Sequence, residues 1–414
     1  MRVRSLSIAL LLGVAACGSA PARNSGDPAN SPSGSKPFRI SEITTFDSPW
    51  AMAFLPGSTY ALVTEKAGQV WLIDVANGQK QPVAGVPTVT DEGTSGQGGL
   101  LDIAVSPQFG SDRFVYLTYA QPSPSGGSGL ALARAQFIQE GGGGRLQGLQ
   151  VIWRDPEGGD GGQFGGRIAF APDGKSLFLA SGERQRFTPA QDPNSPFGKI
   201  LHLTLDGKPA PGDPWVGKVG AATVTVTNPP EDTQQAKHQQ GHTFRWPGPN
   251  LTPAEIWTLG HRNPYGLAFA PDGRLWEAEA GPKGGDELNL LEPGKNYGWP
   301  LVSEGNNYNG VPIPHSSTRP DLVLPKLYWT PTITPGGMLI YTGNMFPQWK
   351  GDALIPGLNG QALVHVRIRG ADAAKADRWD FGQRLRGIAQ GPDGAVYILE
   401  DGSDAKLLKL TPTS

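Results

Sequence analysis

The chain has 414 residues, with 35 Lys and Arg against 37 Asp and Glu and a net charge of −2. That balance excludes a broad polyanion-binding surface, because nucleic-acid binders carry a marked basic excess. Gly 58 and Pro 39 are abundant and charged residues make up only 17%, a composition suited to many tight turns between short strands.

The N-terminal stretch reads as a targeting segment. Arg2 and Arg4 precede the apolar run Leu6 to Ala15, which is too short to span a membrane as a mature helix. It ends Val14-Ala15-Ala16-Cys17, which resembles the bacterial lipobox, and Cys17 is the single cysteine. A mature domain built on this chain therefore has no internal disulfide. The sequence predicts a signal segment over 1–17 with lipidation at Cys17, a flexible Ser-, Pro- and Gly-rich tether over 18–37, and one folded domain over 38–414. It also predicts export, with a lipid anchor at the bacterial cell envelope.

Beyond the tether a hairpin motif recurs. Ile168-Ala-Phe-Ala-Pro-Asp-Gly174, Leu267-Ala-Phe-Ala-Pro-Asp-Gly273 and Ile388-Ala-Gln-Gly-Pro-Asp-Gly394 each end in turn chemistry and are each followed by a second apolar run. Weaker copies begin at Met52 and Ile103, and a sixth unit with a longer connection begins at Met338. Gly266 to Ala280 is the best-formed copy, with its first half alternating apolar and polar positions. Six units of roughly 40–50 residues plus insertions fit the period of propeller blades. The expectation is an all-β, six-bladed β-propeller of four-stranded antiparallel blades, with Pro209 to Trp246 an insertion between the third and fourth units.

Several units carry a polar, Gly-bearing segment just before the first strand. These are Gly96-Gln97-Gly98-Gly99, Asp160-Gly-Gly-Gln163-Phe-Gly-Gly-Arg167 and Gly260-His-Arg262-Asn263-Pro264. The sixth unit supplies Gln383-Arg384-Leu385-Arg386, whose alternate arginines share one strand face. In a propeller, equivalent points converge on one end of the central channel. Two guanidiniums there suit a ligand with several carboxylates, because Arg binds carboxylate as a planar fork.

These motifs, with Glu279-Ala-Gly281-Pro282-Lys-Gly-Gly-Asp-Glu287 and Gly294-Lys-Asn-Tyr-Gly-Trp-Pro300, resemble the soluble quinoprotein glucose and aldose dehydrogenases of the glucose/sorbosone dehydrogenase family. The resemblance covers nearly everything after the tether. It implies pyrroloquinoline quinone and calcium as cofactors and a sugar as substrate. Arg262 and Asn263 would contact the quinone, with Arg262 polarising the carbonyl that receives hydride. Thr332 would line the same pocket, Arg384 and Arg386 would pair with its carboxylates, and Gln97 would face the sugar. The carbonyls of Gly281 and Pro282 would ligate calcium, a hard cation suited to oxygen donors, with Asp286 and Glu287 behind them.

The chain departs from the family pattern at four points. Gln163 stands where the family has its general-base His, Ala280 where Gln or His is usual, Asn359 where a Lys contacts the cofactor, and Gly387 where an acidic residue is frequent. Gln is not a useful base at neutral pH, and Asp160 or a water are the alternatives in reach. The expected activity is oxidation of aldoses at C1 to lactones. A non-catalytic sugar- or partner-binding propeller and a calcium-dependent lactonase are the alternative readings.

Overall fold

The computed structural model describes residues 34–90, 97–123, 126–155, 159, 161–227 and 241–413. The predicted signal segment with Cys17, most of the tether and Asp160 lie outside the described residues. Among those described, helices are short turns of three or four residues and strands dominate.

The recurrent motif folds as antiparallel hairpins. Gly165–Phe170 pairs with Ser176–Ser181, Pro264–Phe269 with Leu275–Glu279, and Leu385–Gln390 with Val396–Glu400. Each Pro-Asp-Gly turn closes on its glycine, where φ is +68°, +83° and +83° at Gly174, Gly273 and Gly394. Only glycine reaches that left-handed region without strain. The hairpin expected from Gly266 instead begins at Pro264, which occupies the first strand position, where its missing N–H is tolerated. The weaker copies form Pro49–Phe54 with Tyr60–Glu65 and Leu100–Val105 with Phe114–Pro122. The unit from Met338 forms Leu339–Ile340 with Ala353–Pro356.

Most hairpins extend into a four-stranded sheet. The strand pairs beginning at Pro49 and Leu100 each do so as well. They join edge to edge as one eight-stranded sheet through the parallel pairings Val83↔Gly144 and Ala84↔Arg145. The last sheet is completed by the N-terminal strand Phe38–Phe46, which pairs with Ala405–Pro412 and ties the two ends of the described chain together. Within the predicted insertion, Thr223–Thr227 and Gly241–Arg245 form a separate two-stranded sheet. Apolar clusters fill the spaces between neighbouring sheets, for example Trp276, Leu288, Ile340 and Ile355 in one and Phe46, Val63, Tyr397 and Leu407 in another.

Five leading strands share an irregularity at their inner end. The register shifts between Pro49 and Ala51, Leu100 and Ile103, Gly165 and Ile168, Pro264 and Gly266, and Leu385 and Gly387. Bulges re-aim side chains next to functional sites. The residues inside these shifts include Trp50, Asp102, Arg167, Tyr265 and Arg386, and they meet. The Arg167 guanidinium bonds Asp102 at 2.9 Å and donates to the carbonyls of Tyr265 and Gly336, both at 2.9 Å. It also lies 4.1 Å from the Trp50 ring centroid. Threonines on second strands add ties between neighbouring hairpins, Thr64 Oγ1 to the Leu101 carbonyl at 2.7 Å and Thr118 Oγ1 to the Gly166 carbonyl at 2.6 Å.

Candidate active site

Above the Arg167 cluster the polar segments open onto a single cavity of about 930 Å³. Gln97, Gln163, Arg262, Asn263, Gly281, Pro282, Thr332, Asn359, Arg384 and Arg386 all line it. Every sequence-predicted site residue within the described region is therefore brought to one place, although the residues span almost 290 positions of chain. Its volume lies at the upper end of the range typical of ligand pockets.

The strand ends explain how each side chain is held. Arg262 and Asn263 precede Pro264–Phe269, and both main-chain N–H groups donate to Glu279 Oε2, at 2.5 and 3.2 Å. The Arg262 Nη1 donates to the carbonyls of Ala280 at 2.9 Å and Gly281 at 2.8 Å. The guanidinium thus already engages the Gly281 carbonyl that the family resemblance gives to calcium. His261 is fully buried, meets Thr258 Oγ1 at 2.8 Å and stacks on Tyr297. It packs behind Arg262 and does not line the cavity.

Arg384 and Arg386 leave one strand face, as their spacing predicts, and their Nε atoms donate to the two oxygens of Asp401 at 2.8 and 3.0 Å. Burial pushes the Asp401 carboxyl up, but the two guanidiniums outweigh it and hold it below the usual range. Arg384 also donates to Asn359 Oδ1 at 2.7 Å. Thr332 donates its hydroxyl to Asp286 at 2.6 Å, and Asp286 further accepts from the N–H of Gly281 at 2.9 Å. Asp286 braces the Gly281 loop from behind. Glu287 instead lies beside that loop, lining a gap of about 10 Å³ together with Gly281, Pro282 and Glu279.

Arg262 lines the same gap. Glu279 and Glu287 of this gap are buried, as is nearby Glu277, and Asn289 Nδ2 donates to Glu277 at 3.0 Å and to Glu287 at 3.2 Å. Burial first, then the charge of Glu279, holds the Glu277 and Glu287 carboxyls well above the usual range. Among the described residues, Glu277 Oε1 and Asn289 Oδ1 find no hydrogen-bond partner. One His261 nitrogen and one oxygen each of Glu277 and Glu279 lie within 4.8 Å of one another. Carboxyl and main-chain carbonyl oxygens are the donors calcium takes. Glu279 and Glu287 line the gap with Gly281 and Pro282, whereas the unpartnered oxygens sit on Glu277 and Asn289, outside that lining.

Gln163 has backbone φ of +56° and is buried. Its N–H donates to Gln97 Oε1 at 2.8 Å. With its amide turned to satisfy its neighbours, the amide nitrogen donates to Glu183 and the oxygen accepts from Arg262 Nη2 at 2.8 Å. Burial pushes the Glu183 carboxyl up to about 7, against the pull of Arg262 and of the N–H groups of Phe187 and Arg186. Sequence reading missed Glu183, Glu279 and Asp401. All three lie at or just past the end of a hairpin's second strand, so the repeat held a signal there as well as before the first strand.

The hairpins thus gather a cavity lined by Arg262, Arg384 and Arg386 beside a buried cluster of Glu277, Glu279 and Glu287. The chain belongs to the glucose/sorbosone dehydrogenase family, whose model matches residues 46–227 and 246–409. It is 34% identical over 375 residues to an aldose sugar dehydrogenase of Escherichia coli (strain K12), covering 88% of this chain and 90% of that protein. Its fold is similar to a crystal structure of a glucose dehydrogenase (TM-score 0.78, 37% identity, covering 91% of this chain and all of that one). It is likewise similar to the PQQ-bound form of an aldose sugar dehydrogenase from Streptomyces coelicolor (TM-score 0.66, 28% identity, covering 92% and 99%).

Proposed function

We propose that this protein oxidises aldose sugars at C1 to lactones, using pyrroloquinoline quinone and calcium, on a six-bladed propeller formed by residues 38–414 and lipid-anchored through Cys17 at the cell envelope. The convergence of ten separately predicted residues on one cavity carries the reading. Six sheet units of four strands, with the halves of the eight-stranded sheet counted separately, support the propeller. The names of the relatives support the substrate class.

The quinone, when bound, supplies an electron sink for the hydride of the sugar's C1. The chain's own residues bind, orient and polarise. Arg384 and Arg386, pre-set by Asp401, meet ligand carboxylates as planar forks. Arg262, fixed at its backbone by Glu279, presents a guanidinium toward developing negative charge, which is worth more in a water-poor cavity than in solvent. Gly281, Pro282 and Glu287 supply oxygen donors for calcium. Gln97 and Asn263 border the space left for the sugar.

Purified protein reconstituted with pyrroloquinoline quinone and calcium, and assayed by dye reduction with a panel of aldoses, tests this. Turnover is expected, rising in Gln163→His. Quinone binding without turnover in both proteins would favour the non-catalytic sugar-binding reading, which the tied-down Gln163 amide also fits. Failure to bind the quinone would remove the dehydrogenase reading.

A further inference from the structure

If the proposed reaction is right, the sugar loses a hydride and a proton, and the cavity wall must offer the proton a destination. Gln163 occupies the place where a base is needed and cannot serve, because an amide does not take a proton near neutrality. Asp401 is held as an anion between two arginines and is a weak base. Asp286 already accepts four hydrogen bonds, from Gly281, Thr332, Ile333 and Thr334.

Glu183 differs from both. It is 1% exposed and lies behind Gln163, whose amide nitrogen it holds. Its other oxygen takes the N–H of Phe187. Its own N–H donates to the Arg262 carbonyl at 2.9 Å, fixing it to the residue that faces the quinone site. The charged groups around it are Arg262 and Arg186, while neighbouring Arg184 is engaged by Asp155 at 3.3 Å. The Gln163 side chain lines the cavity and lies against this carboxylate, and Gln163 stands on a Gly-rich segment, between Gly161-Gly162 and Gly165-Gly166.

We propose that Glu183 is the proton acceptor of the reaction, uncovered when the Gln163 side chain rotates off it. As the C1–H bond breaks and its electron pair leaves for the quinone, the C1 hydroxyl O–H bond breaks toward Glu183 and C1=O forms. The sugar loses one hydride and one proton, the quinone is reduced by two electrons, and Glu183 later returns its proton to water. A carboxyl that burial raises to about 7 suits this task, since a useful base titrates near the working pH. The arrangement also explains how a family member could keep a catalytic cavity with Gln at the base position.

The test compares Glu183→Gln, Gln163→Ala and the natural sequence as full chains loaded with pyrroloquinoline quinone and calcium. Three readouts are needed: quinone affinity, single-turnover quinone reduction by an aldose across pH 5 to 9, and infrared titration of the quinone-free proteins, each carrying Glu255→Gln for that titration because Glu255 is the other carboxyl raised to about 7. Glu183→Gln is expected to bind quinone within about threefold of the natural protein. It should reduce the quinone roughly 10²–10⁴-fold more slowly and lose both the rise in rate and the carboxyl titration near pH 7. Gln163→Ala keeps a Cβ at the strained position and uncovers Glu183, so its rate should rise at unchanged affinity. Turnover in Glu183→Gln within tenfold of the natural protein would overturn the assignment. So would parallel loss of turnover and quinone affinity, or a fall in rate in Gln163→Ala. Should Glu183→Gln fail to fold, the Gln163→Ala rate and the titration with Glu183 in place still decide. A natural protein that binds quinone and turns over, but whose Glu255→Gln form shows no carboxyl titration near pH 7, sinks this inference alone. One that binds no quinone sinks the proposed function and this inference with it.

Discussion

Replacing Arg167 by Met tests whether the hairpins truly meet at one buried point. In the structure a single guanidinium contacts Asp102, the carbonyls of Tyr265 and Gly336 and the face of Trp50. Those partners come from four other segments, each at the inner end of a different sheet unit. Met fills similar volume but leaves Asp102 buried at 4% exposure with its negative charge unpaired and two carbonyls without donors. Breaking a buried pair in this way costs about 3–5 kcal/mol. Asp102→Asn still offers an oxygen to the Ile168 N–H, bonded at 2.8 Å in the natural protein, but strands the guanidinium. The double variant removes both charges, so the two costs should fall short of adding by about 2 kcal/mol. Guanidinium-induced unfolding followed by tryptophan fluorescence measures all four proteins. A cost below about 1 kcal/mol for Arg167→Met, or strict additivity, would refute the idea that this group joins the sheets.

Other consequences can be checked independently. Glu255 accepts from Trp153 Nε1 at 3.0 Å and burial pushes its carboxyl up to about 7 from a usual 4.5. A folded value above the unfolded one means the native state holds the proton more tightly, so that contribution is full below about pH 4.5 and lost as pH rises through about 7. Glu255→Gln should therefore gain on the order of 3 kcal/mol of stability at pH 8 and above, with little change at pH 5, in paired denaturation curves. Calcium at a hundred times its dissociation constant should stabilise the natural protein by about 2.7 kcal/mol. That shift should vanish in Glu287→Gln, and also in Gly281→Ala, whose added Cβ would sit 2.3 Å from the Gly285 carbonyl oxygen. A calcium-dependent melting shift that survives both substitutions would place the ion elsewhere. Of the two clamp arginines, Arg386 has 9% of its side chain exposed and Arg384 41%. Arg386→Ala should weaken quinone binding by about 2 kcal/mol or more and Arg384→Ala by about 1 kcal/mol or less; the reverse order in titration calorimetry would contradict the clamp geometry.

The strands and the cavity were legible in the sequence for the same reason. The Pro-Asp-Gly turns fix hairpins locally, and local signals survive without tertiary context. Once the hairpins are equivalent, Gln97, Gln163, Arg262 and Arg386 occupy equivalent places, and one cavity follows. Three features were not legible. The bulges that bring Trp50, Asp102 and the Tyr265 carbonyl to Arg167 leave no alternation to read, because a register shift is a property of two paired strands. The carboxylates that hold the cavity's cations lie at or beyond second-strand ends, where Glu279 looks like a strand residue and Asp401 like a turn residue until the pairing partner is known. Packing also decides what Gln163 does. Its sequence position says only that a base is missing, whereas its contacts show an amide stretched between Glu183 and Arg262.

Those carboxylates give the site a common logic. Arg384 and Arg386 share Asp401, Arg167 takes Asp102, Arg184 takes Asp155, and the backbone of Arg262 rests on Glu279. A guanidinium free to move would relax toward whatever charge appears, and the energy of that movement would be lost from binding. One fixed in advance by a buried anion presents the same field before and after the ligand arrives, which is the condition under which electrostatic stabilisation is most effective. The cost is a set of anions that partly cancel the positive field. Burial outweighs the neighbouring cations at Asp102, Asp155 and also Glu183, whose carboxyls are raised, to about 6 at Asp155 and about 7 at Glu183, while Asp401 is lowered. Of the three raised groups, Glu183 is the one that touches Gln163. The same construction that steadies the arginines thus leaves, in contact with Gln163, a carboxyl raised to about 7, and that is the group proposed to accept the proton.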